Sequence, residues 1–158
     1  PFILTDFGFS QIQIGFFYIS LSTTYFIGGY SAKRLLNSFN LDKVLSFGYS
    51  LSNLGAFSLY FSHFSSNPII AMIISVSILT LGSGFLIPLG TAGVISSCNT
   101  FRGYASGLLG FIQLGLAAIS AMVVNYITSN SIAYLGLYIS SITIISYVIN
   151  RYFTKTND

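Results

Sequence analysis

The chain has 158 residues, of which 53% are apolar and 6% charged, with a mean hydropathy of +0.79. An average soluble domain carries roughly 25% charged residues, so a water-soluble fold of this size lacks the polar side chains to cover itself, and lipid is the solvent that fits. The net charge of +3 does not signal nucleic acid, because six Lys and Arg spread over three short stretches make no stripe that tracks phosphates.

Pro1 opens the chain with no initiator Met and no charged leader ahead of an apolar stretch. That start does not read as a signal peptide, and we expect the chain to be a fragment of a longer membrane protein. The charges are Asp6, Lys33, Arg34, Asp42, Lys43, Arg102, Arg151, Lys155 and Asp158. Between them, split further at turn signals, lie five apolar stretches long enough to cross roughly 30 Å of hydrocarbon, which takes about 20 helical residues. They cover residues 13–32, 44–62, 68–95, 103–128 and 131–149. Membrane strands would show about ten residues of alternating polarity, and these runs are longer and apolar all round. Backbone groups in lipid must be satisfied within their own segment, so the runs are expected to be helices. The expected fold is all-α, with five transmembrane helices and no soluble domain.

After the first stretch, Lys33 to Lys43 forms a basic loop. The second stretch contains Asn53, which is costly to expose to lipid and is expected to bond to another helix. His63 to Pro68 is a polar turn, with Pro68 suited to a first helical turn. In the third stretch Pro88 lacks an N–H and its ring crowds the carbonyl of Gly84. With Gly82, Gly90 and Gly93 it predicts a kink or soft point, either structural or a place where the molecule bends. Cys98 reads as a small apolar filler near a helix end. The fourth stretch carries Gly103, Gly107 and Gly110 on one face, with Ser106 and Gly110 at small-xxx-small spacing, a pattern that lets helices approach closely. Its Gln113 is expected to face protein or a cavity, and Asn125 to bond across helices. Ser129-Asn130 leaves almost no linker, which predicts a tight antiparallel hairpin between the fourth and fifth stretches.

If the first helix enters from outside, every Lys and Arg falls on one side, and the loops holding Asp6 and His63 carry none. The positive-inside rule then puts the N-terminus outside and the C-terminus in the cytoplasm. No carboxylate, Lys, Arg or His lies within a predicted span, so no proton relay or ion site is offered there. Nothing resembles a catalytic constellation, and we expect no enzyme. His63 has no Cys, Asp or Glu beside it to make a metal site. Gly82-Ser83-Gly84 lies mid-helix with no following Lys, so it is no phosphate loop. No cofactor is expected.

Phe101 to Gln113, FRGYASGLLGFIQ, resembles the eleventh helix of drug-efflux members of the major facilitator superfamily. It is similar in particular to the Bcr/CflA group of bacterial drug-resistance transporters, whose helix often reads A-G-x-A-S-A-L-L-G-x-x-Q. Ala105-Ser106-Gly107-Leu108-Leu109-Gly110 and Gln113 carry that match. The region of Pro88 and Gly90 looks like the end of that group's tenth helix. Gly28 to Lys43 looks like the loop joining helices eight and nine, a worn copy of a Gly-x-x-x-Asp-Arg motif, with Lys33 where the stronger copy has Asp.

The resemblance implies helices eight to twelve of the C-terminal half of a transporter, in the bacterial inner (cytoplasmic) membrane. It implies two six-helix halves with a substrate cavity between them, and so a partner in the missing N-terminal half. Gln113, Pro88 and the Ser20, Thr23, Thr24 face of the first helix become cavity candidates, while Asn53 becomes peripheral. It also implies a small-molecule substrate exported in exchange for protons. With no titratable group in these spans, coupling would belong to the missing half. The alternative from another class is a small membrane protein that transports nothing and scaffolds or regulates a partner.

Overall fold

The first helix starts where a reciprocal cap satisfies two free backbone amides. Ser10 Oγ accepts from the Gln13 amide at 3.4 Å, and Gln13 Oε1 accepts from the Ser10 amide at 2.9 Å. In the computed structural model, which describes residues 4–5, 8–98, 100–128 and 132–156, this helix, α1, spans Gln11–Leu35. Lys33 and Arg34 occupy its last turn, where the helix dipole favours cations. Helix α2 follows at Leu41–Phe61, with Asp42 in its first turn. A 3₁₀ turn, Ser62–Phe64, leads to α3, Pro68–Ser97, with Pro68 at its start as its missing N–H allows. Helix α4 is Arg102–Thr128 and α5 is Ile132–Thr156. No strand occurs among the described residues, and the fold is all-α.

Five helices stand where five apolar stretches were expected, and α3 runs unbroken through Pro88. Their apolarity is less uniform than the expectation of five spans requires. Among the described residues, two helices are long and apolar enough to cross a membrane by length and composition, Pro68–Ser97 and Arg102–Val124. The other three are diluted by hydroxyl and amide side chains and by the charges near their ends.

Helices α1, α3, α2 and α5 pack side by side in that order. Glycine sets the spacing at the crossings. A Cβ on Gly28 would strike the Leu81 carbonyl of α3, and one on Gly84 would strike the Tyr25 carbonyl of α1. Between α2 and α3, a Cβ on Gly55 would lie 2.5 Å from the Leu79 amide nitrogen. Gly136 of α5 meets Tyr60 of α2 in the same way, at 2.6 Å from its amide nitrogen. Such close backbone approach is the mode by which helices associate without help from water.

Two apolar clusters fill the row, Leu4, Leu59 and Met72 at one end and Ala32, Val44 and Phe85 at the other. The Ser52 hydroxyl is buried against Gly82, with no hydrogen-bond partner among the described residues.

Asn53 behaves as expected. Its Oδ1 accepts from Thr143 Oγ1 of α5 at 3.0 Å, while its Nδ2 donates to the Tyr49 carbonyl at 2.9 Å. Asn125's side chain lies outside the described residues. A double-mutant cycle of Asn53→Ala and Thr143→Ala, read by thermal unfolding in detergent, should give a coupling of about 0.6 kcal/mol, the average for hydrogen bonds between membrane helices. Strict additivity of the two single losses would show that the bond contributes nothing.

One expectation about α4 needs correction, and another finds no partner among the described residues. The short link was expected to fold α4 and α5 into a tight hairpin, yet α5 packs chiefly on α2 and α4 touches α3 and α5 only slightly. Ser129, Asn130 and Ser131 themselves lie outside the described residues. A short link limits how far apart two helix ends stand, but not the angle at which the helices leave it. Gly103, Gly107 and Gly110 were expected to be a close-packing face. Among the described residues, nothing lies within 4 Å of where a Cβ would stand on any of them, so that face has no partner within the described helices.

Candidate functional site

Helix direction decides which side chains share an end of the molecule. Gly48, Ser52 and Gly55 of α2 meet Phe85, Gly82 and Leu79 of α3 in reverse order, so these helices are antiparallel. Tyr60, Asn53 and Tyr49 of α2 meet Gly136, Thr143 and Tyr147 of α5 in the same reversed fashion. The end of α1, the start of α2 and the end of α5 therefore lie together. Lys33, Arg34, Lys43, Arg151 and Lys155 gather there, with Arg102 a few residues beyond the end of α3 at that same side. His63 stands at the opposite end.

Two of these cations are held back against a tyrosine one turn earlier. The Arg34 guanidinium lies 4.9 Å from the centre of the Tyr30 ring, and Arg151 donates to the Tyr147 hydroxyl at 3.1 Å. Amphipathic tyrosines beside snorkelling cations are the arrangement of a membrane–water boundary.

The predicted cavity residues are not brought together. Ser20 and Thr23 are exposed on α1 and Thr24 is half-buried. Each hydroxyl donates within its own helix, to the carbonyls of Phe17 at 2.7 Å, Ile19 at 2.9 Å and Leu21 at 2.8 Å. Pro88 is exposed on α3 beside Gly29 of α1. Gln113 is exposed midway along α4, away from all four. Of the five, Thr23 borders a depression, an open one of about 420 Å3 shared with Tyr18, Ile19, Ser22 and Phe26.

The described ionisable side chains of the helices, tyrosines aside, stand in first or last turns, except Arg151, which lies in the second-last turn of α5. No group of three His, Cys, Asp or Glu stands together among the described residues. Sequence reasoning missed an apolar groove at the α1–α2 turn, lined by Leu35, Phe39, Lys43, Val44 and Phe47. Its signal is an aromatic at Phe39 inside a basic loop, a residue that a purely solvated loop has no use for. It also missed the Gly28–Gly84 crossing, although paired glycines at 28–29 and at 82 and 84 were visible in the sequence. Comparisons with protein-family models, with curated proteins and with solved structures give no match for this chain.

Proposed function

We propose that the chain is part of the membrane domain of a secondary transporter, similar to the C-terminal half of major facilitator superfamily drug exporters. The observation that carries this reading is α4. It bears the FRGYASGLLGFIQ resemblance, none of its described residues is buried, and its exposed Gln113 amide has no side-chain hydrogen bond among the described residues. An amide left unpaired in lipid is costly, so Gln113 calls for further protein or a wetted cavity along this helix. Its Gly103, Gly107 and Gly110 face offers room for a helix from outside the chain.

Lipid as the surrounding solvent is supported by apolar exposure on every helix, including Phe26 at 71%, Leu114 at 75% and Ile145 at 57%. The less apolar helices fit the same solvent better than their composition suggests. Their serine and threonine hydroxyls repeatedly donate to a carbonyl one turn earlier, as at Ser22, Ser50 and Ser140. A hydroxyl bonded in this way no longer presents an unpaired donor to hydrocarbon.

The gathering of Lys and Arg residues at one end supports reading that end as the cytoplasmic one. In a Cys98→Ser background, a membrane-impermeant maleimide added to intact cells should label Ser65→Cys and leave Thr100→Cys unlabelled. The reverse pattern would overturn the orientation. The DNA immediately upstream tests the larger claim. A continuous frame encoding about seven further helices is expected, and its absence would favour the scaffold or regulatory protein.

A further inference from the structure

The groove at the α1–α2 turn opens at the end of the molecule that collects the cations. Leu35, Phe39, Val44 and Phe47 form its apolar wall, Lys43 is the charged side chain lining it, and its volume is about 340 Å3. That falls within the roughly 300–1,000 Å3 range of small-molecule sites. Phe39 and Phe47 are half exposed, and the Phe47 ring is braced edge-on by Phe85 at 5.5 Å. Lys33 and Arg34 stand immediately before Leu35, and Asp42 is the one carboxylate among the described residues. The local charge is therefore positive. An occupant needs hydrocarbon to match the walls and an anion to match the rim.

We propose that this groove binds an anionic phospholipid, one acyl chain lying against Leu35, Phe39 and Phe47 and the phosphate meeting the Lys43 ammonium. Basic pockets between helix ends on the cytoplasmic side are suited to such head groups, because the cation sits at phosphate depth while the chain remains in the apolar layer. The site rests on the membrane reading given above, but needs neither transport nor a second half.

The chain has no tryptophan, so Phe39→Trp introduces a single fluorescent reporter into the groove. Phe61→Trp places one at the far end of α2 as a control. Each full chain is reconstituted in phosphatidylcholine vesicles, with increasing fractions of acyl-brominated phosphatidylglycerol or acyl-brominated phosphatidylcholine as quencher. Tryptophan at 39 should reach half-quenching at about a fivefold lower fraction of the anionic lipid, the factor one lysine near the surface supplies. Lys43→Gln should remove most of that difference, and tryptophan at 61 should show none. Equal quenching by the two lipids at 39, or a difference that Lys43→Gln leaves unchanged, would overturn the site while the membrane reading stands. No quenching by either lipid at either position would overturn both.

Discussion

Gly84→Ala is expected to loosen the α1–α3 pair, lowering stability by about 1–3 kcal/mol, the usual range for overpacking. The added methyl would run into the Tyr25 carbonyl and stand 3.1 Å from Gly28 Cα, both backbone atoms that no rotamer change can move aside. The helices must separate, and the Ala32, Val44 and Phe85 cluster beside the crossing opens with them. Gly107→Ala should do the opposite in the same chain. Its methyl meets nothing within 4 Å, and alanine in a helix is favoured over glycine by about 1 kcal/mol. Melting temperatures in one detergent compare the two directly. Equal losses would mean that the glycine crossings described here are not what holds the helices together. In an assembled transporter Gly107→Leu should become harmful, because the helix that covers α4 would then be present.

Expressed alone, the chain should insert and transport nothing. A transporter cavity needs walls from both halves, and proton coupling needs a titratable group near the midplane. The described helices hold their charges within two turns of their ends, and the five cavity candidates do not converge. Rejoined to an N-terminal half, the protein should lower accumulation of a lipophilic cationic dye. There Gln113→Ala should shift apparent affinity several-fold, since a hydrogen bond of this kind contributes about 1 kcal/mol. Dye expulsion by the chain alone, abolished when the proton gradient collapses, would sink the fragment reading. An unaltered Gln113→Ala transporter would leave that reading standing and make Gln113 a packing residue.

The helices were legible because long apolar runs between polar breaks have few other solutions in lipid. Asn53 was legible as well, since an amide within such a run must find a partner. Which small residues touch was not. Gly103 with Gly107 and Gly28 with Ala32 show the same small-xxx-small spacing, yet of these glycines Gly28 alone meets a neighbouring backbone among the described residues. Contact depends on the register between two helices, which neither helix encodes by itself. Of the five expected spans, α3 and α4 are long and apolar enough to cross a membrane by length and composition, and the other three fall short through dilution. The Ser and Thr of α1, α2 and α5 lower apparent apolarity whether or not their hydroxyls are bonded within the helix. The five cavity candidates came from resemblance alone, and the chain by itself holds no arrangement that collects them.

The pairing of α5 with α2 across the intervening α3 and α4 also has a consequence in time. The side of α2 that carries Tyr49, Asn53 and Tyr60 is made early, and its partners Gly136, Thr143 and Tyr147 are made late. At ribosomal rates of roughly 5–20 residues per second, the stretch from Tyr60 to Gly136 takes on the order of 4–15 s. Throughout that interval the Asn53 carbonyl oxygen lacks the Thr143 hydroxyl that later binds it. A membrane chaperone present during synthesis would find its most persistent foothold on that face of α2.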